Sequence, residues 1–198
     1  MIIIGNGEID FDEFLGMMAK GAYDAEKERL EMEFSRESFD RESMTPLIKC
    51  AVDGNTENMT KMIKLGECEI DASNILGRTA LMYACENCNA AAVQLLLDNK
   101  ANTEIRSNAG MTSLMWAAYA NSMSCMEVLI KAGANIDAKD NIGMTSMMWC
   151  VVRGDSSDCV ELLLKHGADK SLKSNNGNTA YDWAEKKENN AAMKVLAY

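Results

Sequence analysis

Two cysteines three residues apart, Cys85 and Cys88, are the first residues whose type and spacing could do chemistry. Such a pair holds zinc when a second pair or histidines complete four ligands, and it serves thiol redox when it opens a helix beside a strand. The chain has one histidine, and no strand precedes Cys85-Glu86-Asn87-Cys88. Packing accounts for the pair better: both cysteines take small-residue positions in a helix, as do Cys50 and Cys150. His166, in Lys165-His166-Gly167, stands at a helix end, where cations are favoured. No nucleophile, phosphate loop or clustered acid accompanies it, so no catalytic set can be assembled. The chain reads as a non-enzyme with no cofactor and no small-molecule substrate. Asn58-Met59-Thr60 has the form of a glycosylation acceptor. The seven cysteines, odd in number and irregular in spacing, nevertheless read as reduced thiols of a cytoplasmic or nuclear protein that is not secreted.

Charge narrows the partners. Of 198 residues, 47% are apolar, enough for a sizeable core, and the formal charge is -10. An acidic chain repels phosphate, which argues against nucleic acid. No run approaches the ~18 apolar residues that span a bilayer, which argues against membrane insertion. The first 43 residues carry 12 acidic and 5 basic side chains, while the remaining 155 carry 18 and 15. The acidity is concentrated in the first segment, and a change of domain near residue 43 follows.

What must position any site is a repeat. Thr45-Pro46-Leu47-Ile48, Thr79-Ala80-Leu81-Met82, Thr112-Ser113-Leu114-Met115, Thr145-Ser146-Met147-Met148 and Thr179-Ala180-Tyr181-Asp182 align, their threonines 34, 33, 33 and 34 residues apart. Gly77, Gly110, Gly143 and Gly177 stand two places before the last four threonines. Five places after each threonine comes a small residue, Cys50, Ala84, Ala117, Cys150 or Ala184, and later an aliphatic run such as Val93-Gln94-Leu95-Leu96-Leu97. The threonine hydroxyl is placed to cap a first helix. The aliphatic run gives a second helix its apolar face, and Gly66, Gly133 and Gly167 suit the left-handed residue that ends one. No unit could bury its helices alone, so neighbours must stack.

This period and these motifs resemble the ankyrin repeat over about residues 43–198. The resemblance implies an all-α solenoid of about five helix-turn-helix units joined by short β-hairpin loops. Its units span about 43–76, 77–109, 110–142, 143–176 and 177–198, and an N-terminal helical segment precedes them. It also implies a concave side of hairpin tips and first helices that binds another protein, as a scaffold or adaptor does. The histidine usual after Thr-Pro-Leu is replaced by Ile48, Met82, Met115 and Met148, which puts in question the ties that histidine normally makes between units. Lys100 replaces an expected glycine.

On that concave side the resemblance places an aromatic row, Tyr83, Trp116, Trp149 and Trp183, each four residues after its threonine. The rings either anchor a partner or fill the space between repeats with an edge exposed. Met111 and Met144, just before their threonines, are expected to be exposed there, as are Tyr119 and Val152. Together they would form an apolar stripe of adaptable side chains, framed by polar contacts from Arg106, Asn108, Lys139 and Asn141 at the hairpin tips.

Residues 5–17, Gly-Asn-Gly-Glu-Ile-Asp-Phe-Asp-Glu-Phe-Leu-Gly-Met, are similar to the second half of an EF-hand calcium loop, giving a partial hand over 1–20. The resemblance sets Asn6, Asp10 and Glu13 at the fifth, ninth and twelfth places. Ile2 and Ile4 then occupy the first and third places, where oxygen ligands are required, so no metal is expected. Calcium would be held only if the hand were completed in a longer chain. A charged helical linker over 21–42 follows, with Leu30 and Phe34 four apart on one face. Two other functions stay open: a calcium-responsive regulator, and a targeting or regulatory fragment of a larger enzyme or channel.

Overall fold

A computed structural model describes residues 2–4, 7–9, 44–154 and 157–197. Within them, ten helices form five pairs. They are α1 (Pro46–Val52) with α2 (Thr56–Leu65), α3 (Ala80–Glu86) with α4 (Ala90–Asp98), and α5 (Ser113–Tyr119) with α6 (Met123–Lys131). The last two pairs are α7 (Ser146–Val152) with α8 (Ser157–Lys165), and α9 (Ala180–Lys186) with α10 (Asn190–Leu196).

Each first helix starts where the sequence says it should. Thr45, Thr79, Thr112, Thr145 and Thr179 are extended N-caps, and each hydroxyl accepts the backbone N–H three residues on, at 3.2 to 3.5 Å. Asparagine takes over for three of the second helices. Asn55, Asn89 and Asn189 accept from Asn58, Ala92 and Ala192, each at 3.0 Å. The second helices end as expected, with Gly66, Gly133 and Gly167 at positive φ. Lys100 adopts the same conformation, φ 69°, without glycine's freedom, at a cost of about 1 kcal/mol.

The first helices stack in the order α1, α3, α5, α7, α9, and the second helices in the order α2, α4, α6, α8, α10. One continuous core results. Its buried residues include Leu47, Leu81, Leu114 and Met147 from the first helices, and Met59, Leu96, Leu129 and Leu163 from the second. The residues in the place of the family histidine, Ile48, Met82, Met115 and Met148, are all buried in it.

The start of the chain departs from expectation. Ile2–Ile4 (β1) pairs antiparallel with Gly7–Ile9 (β2), with Ile2 opposite Ile9 and Ile4 opposite Gly7. Three β-branched residues before Gly5-Asn6 have the composition of a hairpin. The EF-hand reading set Ile2 and Ile4 at ligand places, and here both belong to a strand. Asn6, Asp10 and Glu13, like the expected helix over 21–42, lie outside the described residues.

Candidate functional site

The hairpins between pairs are locked to one another at one-repeat intervals. The Asn108 side-chain amide donates to the Ile75 carbonyl at 2.9 Å, that of Asn141 to Asn108 at 2.7 Å, and that of Asn175 to Asn141 at 3.0 Å. The backbone N–H groups of the same asparagines donate to Leu76, Ala109 and Ile142. A second set of bonds runs in the same direction, from each unit to the one before it. The N–H of Asn102 meets Asp71 Oδ1, that of Asn135 meets Glu104 Oε1, and that of Asp169 meets Asp137 Oδ1. This ladder supplies ties between units in a stack that lacks the family histidine.

The ladder also explains the glycine two places before each threonine. A Cβ on Gly77, at φ 69°, would lie 2.7 Å from Asn108 Oδ1 and 2.9 Å from Asn108 N. Gly110 and Gly143 would meet Asn141 and Asn175 in the same way. Gly177, with no unit after it, would meet nothing within 4 Å and keeps only its positive φ.

Beneath the hairpins runs a line of rings and cations. The Arg78 guanidinium is sandwiched between Tyr83 and Trp116, 4.0 and 3.8 Å from their ring centres, and forms an ion pair with Glu86. Tyr119 then meets Trp116 and Trp149 edge-on, with ring centres 5.8 and 5.7 Å apart. Arg153 lies over Tyr119 at 4.4 Å, and Lys186 over Trp183 at 5.3 Å. Both ring stacking and cation–π contact stabilise such a line, each by ~1 kcal/mol.

Two of the rings are keyed to the hairpin above them. Asn74 and Asp140 both stand five residues before their threonine. Through Oδ1, Asn74 accepts the N–H groups of Leu76 and Arg78, and Asp140 those of Ile142 and Met144, at 2.8 to 3.0 Å. The other side-chain atom then matches its ring. Asn74 Nδ2 donates to the Tyr83 hydroxyl at 3.0 Å, while Asp140 Oδ2 accepts from the donor-only Trp149 indole at 2.9 Å. Burial pushes the Asp140 carboxyl up to about 6, against the hydrogen bonds and the Arg106 charge, which pull it down.

A family model described as ankyrin repeats, in three copies, matches residues 18–108, 47–140 and 114–198. The chain belongs to the ankyrin repeat family. No curated protein matches it. Ankyrin repeats are generally protein-interaction modules and typically non-catalytic.

Within this ankyrin stack, several expected site residues sit elsewhere than foreseen. Met111 and Met144 are buried, each 1% exposed, and Val152 is buried too. The backbone N–H groups of Met111 and Met144 close their hairpins, on Ser107 Oγ and Asp140 Oδ1, and the methionine side chains lie in the core. Tyr83, Trp116, Trp149 and Trp183 are buried as well, so of the two readings of the row the space-filling one describes the rings. Tyr119 alone of the apolar candidates is half-buried. Arg106, Asn108 and Asn141 are exposed and Lys139 half-buried at the hairpin tips. Asn108 and Asn141 are also ladder rungs, so their amides have a structural duty.

Arg78 is the residue that sequence reasoning missed. It stands immediately before Thr79, in the register of Met111 and Met144, and that shared register was the available signal.

The cysteine reading is half corrected. Cys85 is buried inside α3, where burial holds its thiol well above the ordinary range. Cys88 is exposed, at φ 57° in the turn after α3, where Gly54 and Asn121 are also left-handed in their own units. Among the described residues no three His, Cys, Asp or Glu side chains are grouped to hold a metal ion. No helix there is long and apolar enough to cross a membrane. His166 is exposed just after α8.

Proposed function

We propose that this ankyrin stack is a non-catalytic scaffold or adaptor, and that it receives a partner protein on the face made by its hairpins and first helices. One observation carries the reading. The mutually locked hairpins and the keyed ring line form a rigid platform, from which Tyr119, Arg153, Arg106 and Lys139 still reach solvent. Preorganisation of this kind reduces the entropy lost on docking. Aromatic and arginine side chains are the groups that most often dominate binding energy.

The test must avoid the buried tryptophans, whose loss would disturb the stack itself. Tyr119→Ala with Arg153→Ala alters the platform's surface, and Glu127→Ala with Lys131→Ala on α6 alters the opposite side as a control. Helicity and Tm are measured alongside. Proteins retained by the wild type and the α6 variant, but lost by the platform variant, support the reading. Identical retention by all three removes it.

A further inference from the structure

The fourth unit carries two thiols in the contact between its helices. Two places in each unit, five and fourteen residues after the threonine, belong to the first and second helix. In the second and third units they hold Ala84 with Val93 and Ala117 with Met126, all fully buried. In the fourth they hold Cys150 on α7 and Cys159 on α8, 0% and 2% exposed. The Cys150 thiol donates a hydrogen bond to the Cys159 sulfur. A disulfide needs two side chains that point toward one another, and thiols in direct contact across a helix pair meet that need. An alanine and an aliphatic side chain fill the same place elsewhere in the stack, so packing alone does not call for two sulfurs.

We infer that Cys150 and Cys159 form an oxidisable dithiol site, which hydrogen peroxide converts to a disulfide clamping α7 to α8. The inference stands apart from the protein-binding reading. The environment assigns the two roles. The hydrogen bond from Cys150 holds the Cys159 thiol below the ordinary range, against burial and the charge of Asp158. Cys159 also lies in the first turn of α8, an end that favours a thiolate. Burial holds the Cys150 thiol well above the ordinary range, so it keeps its proton until the second step. The Cys159 thiolate attacks one peroxide oxygen and the O–O bond breaks. Hydroxide leaves, takes up the proton that Cys159 released and becomes water, while Cys159 becomes a sulfenic acid. The Cys150 sulfur then attacks the Cys159 sulfur, the S–O bond breaks, and the hydroxyl departs with the Cys150 proton as a second water. The two sulfurs give up two electrons, and one peroxide becomes two waters. Burial excludes bulky oxidants and selects one near the size of water, admitted by local opening at the α7–α8 turn, where Arg153 and Gly154 are exposed.

The experiment treats the full chain with hydrogen peroxide, alkylates the remaining thiols and digests with trypsin. Cleavage after Lys139, Arg153 and Lys165 puts Cys150 and Cys159 in separate peptides, 140–153 and 154–165. A linked pair, two hydrogens lighter than the sum of its parts, is expected ahead of any bridge from the exposed Cys88. The Tm should rise by about 5 °C or more, the scale of a bridge closing a loop of about ten residues. Dithiothreitol should reverse both changes. Cys150→Ala copies Ala84 and Ala117 and so protects the fold, and it should leave Cys159 as a sulfenic acid that dimedone traps. Cys159→Val copies Val93 and should abolish the bridge and the gain in Tm. Bridges through Cys88 while Cys150 and Cys159 are recovered as free thiols overturn the inference. So does a linked pair that forms only in urea, or one that leaves the Tm unchanged or lowered, because the thiols would then not meet in the folded stack.

Discussion

Asn74–Tyr83 and Asp140–Trp149 are the same contact made with complementary chemistry, and exchanging one member should expose the rule. Asp140→Asn keeps the Oδ1 that accepts from Ile142 and Met144, as Asn74 does for Leu76 and Arg78. It also turns a side-chain N–H toward the indole N–H of Trp149, so two buried donors face each other. Losing that bond in a buried place costs about 1 to 3 kcal/mol. A second term opposes it. The Asp140 carboxyl has its folded pKa raised to about 6 from an ordinary 3.8, because burial disfavours its charge. Stability from such a group is fully present below about pH 4 and is lost as the pH rises through 6, a change of ~3 kcal/mol. Asparagine never carries the charge and escapes this loss. Urea unfolding should therefore show Asp140→Asn less stable than wild type by about 2 kcal/mol at pH 4. The gap should close, or change sign, by pH 7. Adding Trp149→Tyr recreates the pair of the second unit, and the double-mutant cycle should show a coupling of ~1 to 3 kcal/mol. A pH-independent difference, or no coupling, would refute both the donor–acceptor matching and the cost of the buried charge.

Three other perturbations check separate parts of the account. Gly77→Ala should lower stability by more than about 2 kcal/mol, because left-handed strain is joined by collision with Asn108. Gly177→Ala, with only the strain, should cost about 1 kcal/mol, and equal Tm losses would contradict the role given to the next unit. Arg78→Met, copying Met111 and Met144, should cost about 3 kcal/mol by taking the cation from Glu86, and adding Glu86→Ala should recover most of it in urea unfolding. Calcium up to millimolar concentration should leave Tm unchanged, since Ile2 and Ile4 offer no ligand oxygen at the first two required places, whereas a rise in Tm would restore a calcium site.

The repeat was legible because its signals are local. A threonine cap, a small residue five places on, an aliphatic run and a left-handed glycine each act within one unit, and their recurrence sums into one pattern. What escaped is decided between units. Whether Met111 faces solvent depends on how its hairpin closes on Ser107, and Gly77 is required by Asn108, 31 residues away. Register shows that Arg78 and Met144 are equivalent but not what covers them. Cys88 was mistaken for a helical residue because its unit has no glycine to mark the turn that Gly54 and Gly154 mark in theirs. At the chain start, two residues of hairpin composition between short β-branched and mixed segments were outweighed by a string of acids with loop-like spacing.

We propose that the locked hairpins and first helices, not the outer helices, are the face that meets a partner. Amide hydrogen exchange with and without a captured partner distinguishes the two faces. Added protection is expected over residues 104–111 and 137–144 and at the C-terminal end of α5. Protection confined to α4, α6 and α8 would contradict the claim.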